Sequence, residues 1–237
     1  QAVTVTGGSN ASDGTVGIGH QCLNALTSGG NNVAIGYQAA DALVSGANNT
    51  VVGTGAFGAA GVEETNNIII GMHAAKFCDE GTNGTIDDNI AIGVDALIGG
   101  DLGASTAALN RCIAIGTNAL NSTGTSLNAG NTAQTGTIAI GYDALTALTV
   151  GARNVAVGYT ALKSCEDGAA NVAVGYLALE SCTDGSSNIA IGDTALEGLV
   201  GGGANVAIGR NAGKEMGADE NGNILIGMAA GQLLDEG

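Results

Sequence analysis

The chain has 237 residues, with 42 Gly, no Pro and no Trp, and it is 45% hydrophobic but only 3% aromatic. This composition excludes a bulky core built around large rings, and its regularly placed Val and Ile exclude disorder. The formal net charge of −16 excludes nucleic acid and anionic membrane surfaces as partners, because binding to either begins with cationic side chains.

One phrase recurs twelve times, with the consensus N-[VI]-A-[IV]-G-x-x-A-L. Its glycine, called the anchor glycine here, recurs at a base spacing of 17 residues, which lengthens to 22, 23 and 25 in the middle of the chain. Self-similarity at such a period indicates a solenoid. Five anchor glycines in succession keep the 17-residue spacing: Gly141, Gly158, Gly175, Gly192 and Gly209.

Each repeat favours one coil of an all-β, parallel β-solenoid (a β-roll). Its apolar runs are about five residues long and are cut by Gly and Asn, whereas a helix needs apolar residues at i, i+3, i+4 and i+7 over a longer span. Residues 1–14 fit a partial or degenerate coil. Residues 15–237 fit a single domain of about twelve coils.

Large aliphatic residues recur at fixed distances from the anchor glycine. We expect those three and one residues before it, such as Val33 and Ile35, to point into the coil. Leu145 and Leu148, four and seven residues after an anchor, are expected to do the same. A second glycine ten residues after the anchor predicts a turn with positive φ. These turn glycines are Gly29, Gly46, Gly81, Gly103, Gly151, Gly168, Gly185 and Gly202.

The three long spacings predict loop insertions near residues 82–88, 104–111 and 123–136. Stacked coils would place these loops on one flank, and insertions in repeat arrays commonly cluster on a binding face. They are either receptor-contact loops whose polar groups bond sugar hydroxyls, or tolerated drift in surface loops. The candidate contact residues are Thr82, Asn83, Thr85, Asn128, Asn131 and Thr132.

Asn stands four residues before the anchor in nine of the twelve repeats. In-register stacking would align these amides in a hydrogen-bonded ladder, as in cross-β arrays. Alternatively, Asn merely suits a left-handed turn position. The regular part of this column contains Asn154, Asn171, Asn188 and Asn205.

Ala stands two residues before the anchor in eight of the twelve repeats. A strand that is apolar on both faces is normally buried on both, so we expect the Ala/Gly face to be covered by another copy of the chain. This predicts an oligomer. The expected oligomer face includes Ala139, Ala156, Ala173, Ala190 and Ala207.

Acidic residues crowd the turns. Stacked carboxylates could bridge calcium through oxygen ligands, but the calcium β-roll phrase G-G-x-G-x-D is absent, and a solvated acidic edge explains the same pattern. No other cofactor is expected. The weak calcium candidates are Asp79, Glu80, Glu166, Asp167 and Asp184.

Cys78, Cys165 and Cys182 replace a core Leu seven residues after the anchor. They are expected to be buried thiols, rather than to form a disulfide between Cys165 and Cys182.

A tyrosine follows the anchor glycine in four repeats, either for packing or as a strip that binds sugars. The two His show no triad spacing, and no pair of carboxylates suits a glycosidase. We therefore expect no enzyme.

The repeated phrase resembles the head repeats of trimeric autotransporter adhesins and the related repeats of bacteriophage tail fibres. That resemblance implies a homotrimer of left-handed parallel β-rolls, located outside the cell and used in attachment to a host-surface glycan or protein. The longer, single-phrase repeat departs from the adhesin pattern and favours a phage-like fibre. A self-assembling extracellular filament, with copies stacked end to end, or a microbial adhesin is the alternative. An ice-binding protein is less favoured because Thr has no fixed phase, and a glycan-cleaving tailspike is less favoured because the carboxylate pair of a glycosidase is not seen.

Overall fold

The computed structural model describes residues 2–3, 14–59, 61, 63–78, 86–99, 109–121 and 135–231. In these ranges the secondary structure consists of strands and turns without a helix, which confirms the all-β parallel β-solenoid. The chain forms two compact units that divide between Ile115 and Gly116. The single domain expected over residues 15–237 stays a prediction.

The described strands of the first unit are β1 (Ala2–Val3), β2 (Val16–Ile18), β3 (Val33–Ile35), β4 (Thr50–Val52), β5 (Ile68–Ile70), β6 (Ile90–Ile92) and β7 (Ile113–Ile115). Strands β2 to β7 pair with one another in parallel and in sequence order. Strand β1 pairs antiparallel with β2, whereas a preceding coil would pair in parallel.

The described strands of the second unit are β8 (Ile138–Ile140), β9 (Val155–Val157), β10 (Val172–Val174), β11 (Ile189–Ile191), β12 (Val206–Ile208) and β13 (Ile224–Ile226). They pair in parallel and in sequence order. Val172 lies opposite Ile189, 17 residues further on. Successive repeats therefore stack in register, as the period predicted.

The middle residue of each strand points into the coil, so the predicted orientation of the strand residues is wrong. Val33 is half-buried and Ile35 is 37% exposed, while Ala34 between them is fully buried. The residues expected to form an external oligomer face are instead all completely buried. They are Ala139, Ala156, Ala173, Ala190 and Ala207.

Side-chain size, rather than hydrophobicity, explains this orientation. The coil is thin, and the space beside the strand is already filled by residues such as Leu145 and Leu148, which are fully buried as predicted. In the coil of anchor Gly71 the two sizes are exchanged: Ile69 is accompanied by Ala75, and both are fully buried. Ala is therefore the ordinary inward residue because it leaves room for Leu.

The predicted amide ladder is present and buried. The side-chain oxygen of Asn154 accepts a hydrogen bond from the backbone N–H of Asn171 at 2.9 Å, and Asn171 accepts one from the backbone N–H of Asn188 at the same distance. Each Nδ2 also donates to a turn carbonyl of the next coil, as from Asn171 to Gly185 at 2.8 Å. The ladder continues from Asn188 to Asn205. These bonds join neighbouring coils and leave the amides satisfied.

The anchor glycines are required by both conformation and space. Gly158 has φ +146°, and a Cβ on it would collide with the carbonyl oxygen of Gly175 in the next coil. The same relationship joins Gly141 to Gly158 and Gly192 to Gly209. Any side chain at this position would therefore separate the stacked coils.

The turn glycines follow a different rule from the one predicted. Gly29 and Gly151 have the expected positive φ, +95° and +123°. The positive-φ explanation is wrong for the other described members, where a Cβ would instead collide with the next coil, as between Gly168 and the carbonyl oxygen of Gly185. Those members are Gly46, Gly168, Gly185 and Gly202, while Gly81 and Gly103 lie outside the described residues.

Two non-glycine residues in most coils adopt left-handed conformation just after the anchor. In one coil they are Thr160 and Leu162, with φ of 50° and 53°. This conformation normally costs about 1–2 kcal/mol per residue. Hydrogen bonds to the neighbouring coils on both sides hold it in place, from the Thr160 N–H to the Tyr142 carbonyl at 2.9 Å and from the Leu162 N–H to the Ala178 carbonyl at 3.0 Å.

Candidate functional site on the outward face

The first and third residues of each strand form what we call the outward face. In the second unit every one of these residues is Val or Ile, so the face is apolar without interruption. The exposed fractions of Ile191 and Ile208 are 39% and 37%, and that of Ile226 is 68%. The face consists of Ile138, Ile140, Val155, Val157, Val172, Val174, Ile189, Ile191, Val206, Ile208, Ile224 and Ile226.

The outward face is also free of charge in a chain whose formal net charge is −16. The acidic residues of the second unit lie elsewhere on the coil, as with Glu166, Asp167 and Asp184 in the turns. A contiguous exposed apolar patch commonly marks an interaction site. With strands about 4.8 Å apart, the six-stranded face is on the order of 24 Å long, and its Val and Ile columns repeat at that spacing.

Three tyrosines form a stacked column beside this face, beyond the anchor glycines. The ring centroids of Tyr142 and Tyr159 lie 5.4 Å apart at an interplanar angle of 10°, and those of Tyr159 and Tyr176 lie 5.4 Å apart at 16°. All three are about half exposed. In the first unit Tyr37 stacks on His20 instead, at 5.7 Å.

This stacking bears on the sugar-binding interpretation. Sugars stack on the faces of aromatic rings, but both faces of Tyr159 are covered by its neighbours. The column therefore presents ring edges and hydroxyl groups to solvent. Stacked packing agrees better with this geometry than a sugar platform does.

A second amide column, on the exposed side of the first unit, was missed by sequence reasoning. Asn31 donates to Asn48 at 3.4 Å, Asn48 to Asn66 at 3.3 Å, and Asn66 to Asp88 at 3.1 Å. The three Asn have φ near 60°, a conformation that Asn tolerates well. Each directly precedes a ladder Asn, so the Asn-Asn doublets were the available signal.

All five cysteines are buried and none is in a disulfide, as predicted for Cys78, Cys165 and Cys182. Cys165 and Cys182 occupy the same position in adjacent coils. A hydrogen bond with Cys182, together with burial, raises the pKa of the Cys165 thiol. The neutral form of the Cys165 thiol is therefore favoured.

The acidic turns have ordinary polar partners. Asp167 accepts a hydrogen bond from the Thr149 hydroxyl at 2.9 Å, and Asp184 accepts one from Thr183 at 3.1 Å. Across the described ranges, no group of three or more His, Cys, Asp and Glu side chains is arranged to hold a metal ion. Asp79 and Glu80 lie outside those ranges. The calcium hypothesis stays a prediction.

The receptor-contact residues cannot be placed on the coils. Of the three insertions, only residues 86–88, 109–111 and 135–136 are described. Thr82, Asn83, Thr85, Asn128, Asn131 and Thr132 all lie outside the described part of the chain.

No protein-family model matches the chain, and no curated protein matches it. Among the described residues, no helix has the length and apolar character needed to cross a bilayer. The resemblance to fibre and adhesin repeats therefore stays a prediction.

Proposed function

We propose that this chain is a structural segment of an extracellular fibre of the phage-tail type, whose copies associate through the outward face as a homotrimer. The observation that carries the proposal is the uninterrupted column of Val and Ile side chains on the outside of the second unit. A coil too thin to bury these side chains needs a further apolar surface, and a second copy of the chain offers the same one.

Charge also favours a second copy of the chain as the partner that covers the outward face. Two molecules that each carry a net charge of −16 repel one another where carboxylates meet. The outward face of the second unit has no ionisable side chain, so it is a surface on which two copies can approach without that repulsion. Parallel columns of β-branched side chains at one spacing can interdigitate with an equal set.

The association is tested by the mass of the particle in solution. Sedimentation equilibrium is expected to give three times the single-chain mass of 22.8 kDa. The Val155→Thr/Val172→Thr double variant keeps the β-branched shape but places hydroxyls on the outward face, and it should shift the equilibrium toward single chains. The matched control is Ser164→Thr/Ser181→Thr, away from this face, which should not. A single-chain mass for the unaltered protein, or equal effects of both variants, would refute the association.

The adhesive part of the proposal concerns the insertions near residues 82–88, 104–111 and 123–136. Replacing each by the short turn of a 17-residue coil is expected to abolish attachment to host cells while circular dichroism stays unchanged. Full attachment by the shortened chain would remove this role.

Immunogold labelling of virions and of cell surfaces separates a viral fibre from a microbial filament or adhesin, because each of these proteins would lie on a different particle.

A further inference from the structure

We infer that Tyr142, Tyr159 and Tyr176 form an oxidative cross-linking site, at which phenol rings of adjacent coils join as dityrosine. The inference concerns a single chain and does not depend on the proposed association. The chain has four Tyr, no Trp and two Phe, yet three of the four Tyr lie in one column of consecutive coils.

The geometry suits coupling between neighbours. Adjacent rings are nearly parallel at a centroid separation of 5.4 Å, so the carbon atoms beside the hydroxyl groups that must join belong to neighbouring rings of one column. About half of each side chain is exposed, so an oxidant can reach it and the ring can rotate toward its neighbour. Tyr159, in the middle, has a partner on both sides.

The reaction needs a peroxide and a one-electron oxidation catalyst such as a haem peroxidase. Each of two phenols loses one hydrogen atom, and the resulting phenoxyl radicals form a carbon–carbon bond between their ortho positions. The two ortho hydrogens then leave as protons while both oxygens regain a proton. One peroxide takes up the two electrons and two protons and becomes two waters. The net change is two tyrosines and one hydrogen peroxide to one dityrosine and two waters.

The thiols do not compete with the phenols, and the exposed thioethers of Met72 and Met228 take up oxygen from peroxide without linking two peptides. All five thiols are buried and so are shielded from the oxidant. Tyr37, the remaining tyrosine, stacks on His20 and has no tyrosine neighbour in its column, which makes it an internal control. Positions fixed at stacking distance react at a high effective concentration. Coupling within the column should therefore outpace coupling to Tyr37.

Trypsin separates the members of the column. It cleaves after Arg111, Arg153, Lys163 and Arg210, so Tyr142, Tyr159 and Tyr176 fall in the peptides 112–153, 154–163 and 164–210. The folded chain would be treated at low concentration with hydrogen peroxide and a haem peroxidase, digested, and analysed by mass spectrometry and dityrosine fluorescence. We expect peptide 154–163 linked to either neighbour, several-fold more than in the urea-unfolded chain.

Tyr159→Phe keeps the stacked ring but removes the phenol, and it is expected to abolish both links; Tyr37→Phe is expected to leave them unchanged. Circular dichroism checks that both variants fold. The inference is overturned if folded and unfolded chains give the same linked peptides. It is also overturned if the links survive Tyr159→Phe, or if they join two chains rather than two peptides of one.

Discussion

Asn188 joins its coil to the next one through its side-chain oxygen, which accepts hydrogen bonds from both the backbone N–H and the side-chain amide of Asn205, at 3.0 and 3.1 Å. Its own Nδ2 donates to the Gly202 carbonyl at 2.8 Å. These hydrogen bonds connect the two coils next to strands that are only three residues long.

Asn188→Ala should strongly destabilise the second unit. The variant leaves the buried Asn205 N–H and the Gly202 carbonyl without their partner, and unsatisfied groups of this kind give a loss of about 3 kcal/mol in the free energy of unfolding. Urea denaturation measures it. The neighbouring Ser187 is exposed and left-handed, so Ser187→Gly is the control and should change stability by less than about 0.5 kcal/mol. Equal losses would argue against the ladder.

The inward position of the strands can be tested by exchanging volumes. Ala173→Ile adds three carbons at a fully buried site and should cost about 3 kcal/mol. Combining it with Leu179→Ala reproduces the Ile69 and Ala75 arrangement of the first unit, and thermal unfolding should then recover most of the loss. If Ala173→Ile alone is neutral, Ala173 does not point into the coil.

Relief of left-handed strain should stabilise the chain. Ala204 is exposed with φ 57°, in a column where other coils carry Asn, such as Asn31 and Asn48. Ala204→Asn is therefore expected to raise the free energy of unfolding by roughly 0.5–1 kcal/mol, because Asn tolerates this conformation better. Ala169→Asn, at a position without positive φ, should give no gain in the same urea titration. A loss at position 204 would contradict the assigned conformation.

The buried Cys165 thiol predicts a loss of stability in alkaline solution. Since the folded-state pKa of Cys165 is raised above its ordinary value of 9.0, the contribution of the neutral thiol is complete below that pH and is lost as the pH rises beyond it. Cys165→Leu, which copies the Leu148 and Leu199 coils, should make the fold less sensitive to alkali. Urea titrations of both proteins at neutral pH and above the ordinary thiol pKa provide the comparison, and parallel losses would rule out the thiol as the cause.

Several features of the fold were readable from sequence because they depend on spacing alone. The constant interval between anchor glycines implied in-register stacking, and in-register stacking implied the ladder through Asn171 and the shared column of Cys165 and Cys182. The inward placement of Leu145 followed because a large aliphatic residue recurs there in most repeats.

The orientation of the strand residues was not readable from hydrophobicity, because both faces of the strand are apolar. The alternation of side chains along a strand would have settled the orientation, because it places Ala156 on the same side as Asn154, two residues earlier. The left-handed Leu162 carried no sequence signal, since Leu has no preference for that conformation and the neighbouring coils impose it. The receptor-contact residues fall in insertions outside the described part of the chain.

Electron cryomicroscopy of the intact assembly tests the central claim most directly, because side-chain density locates both faces of each strand at once. The account requires Ala156 inside the coil and Val155 and Val157 in contact with a neighbouring copy. Density that places Ala156 between copies, or that leaves Val155 and Val157 facing solvent in every copy, would contradict it.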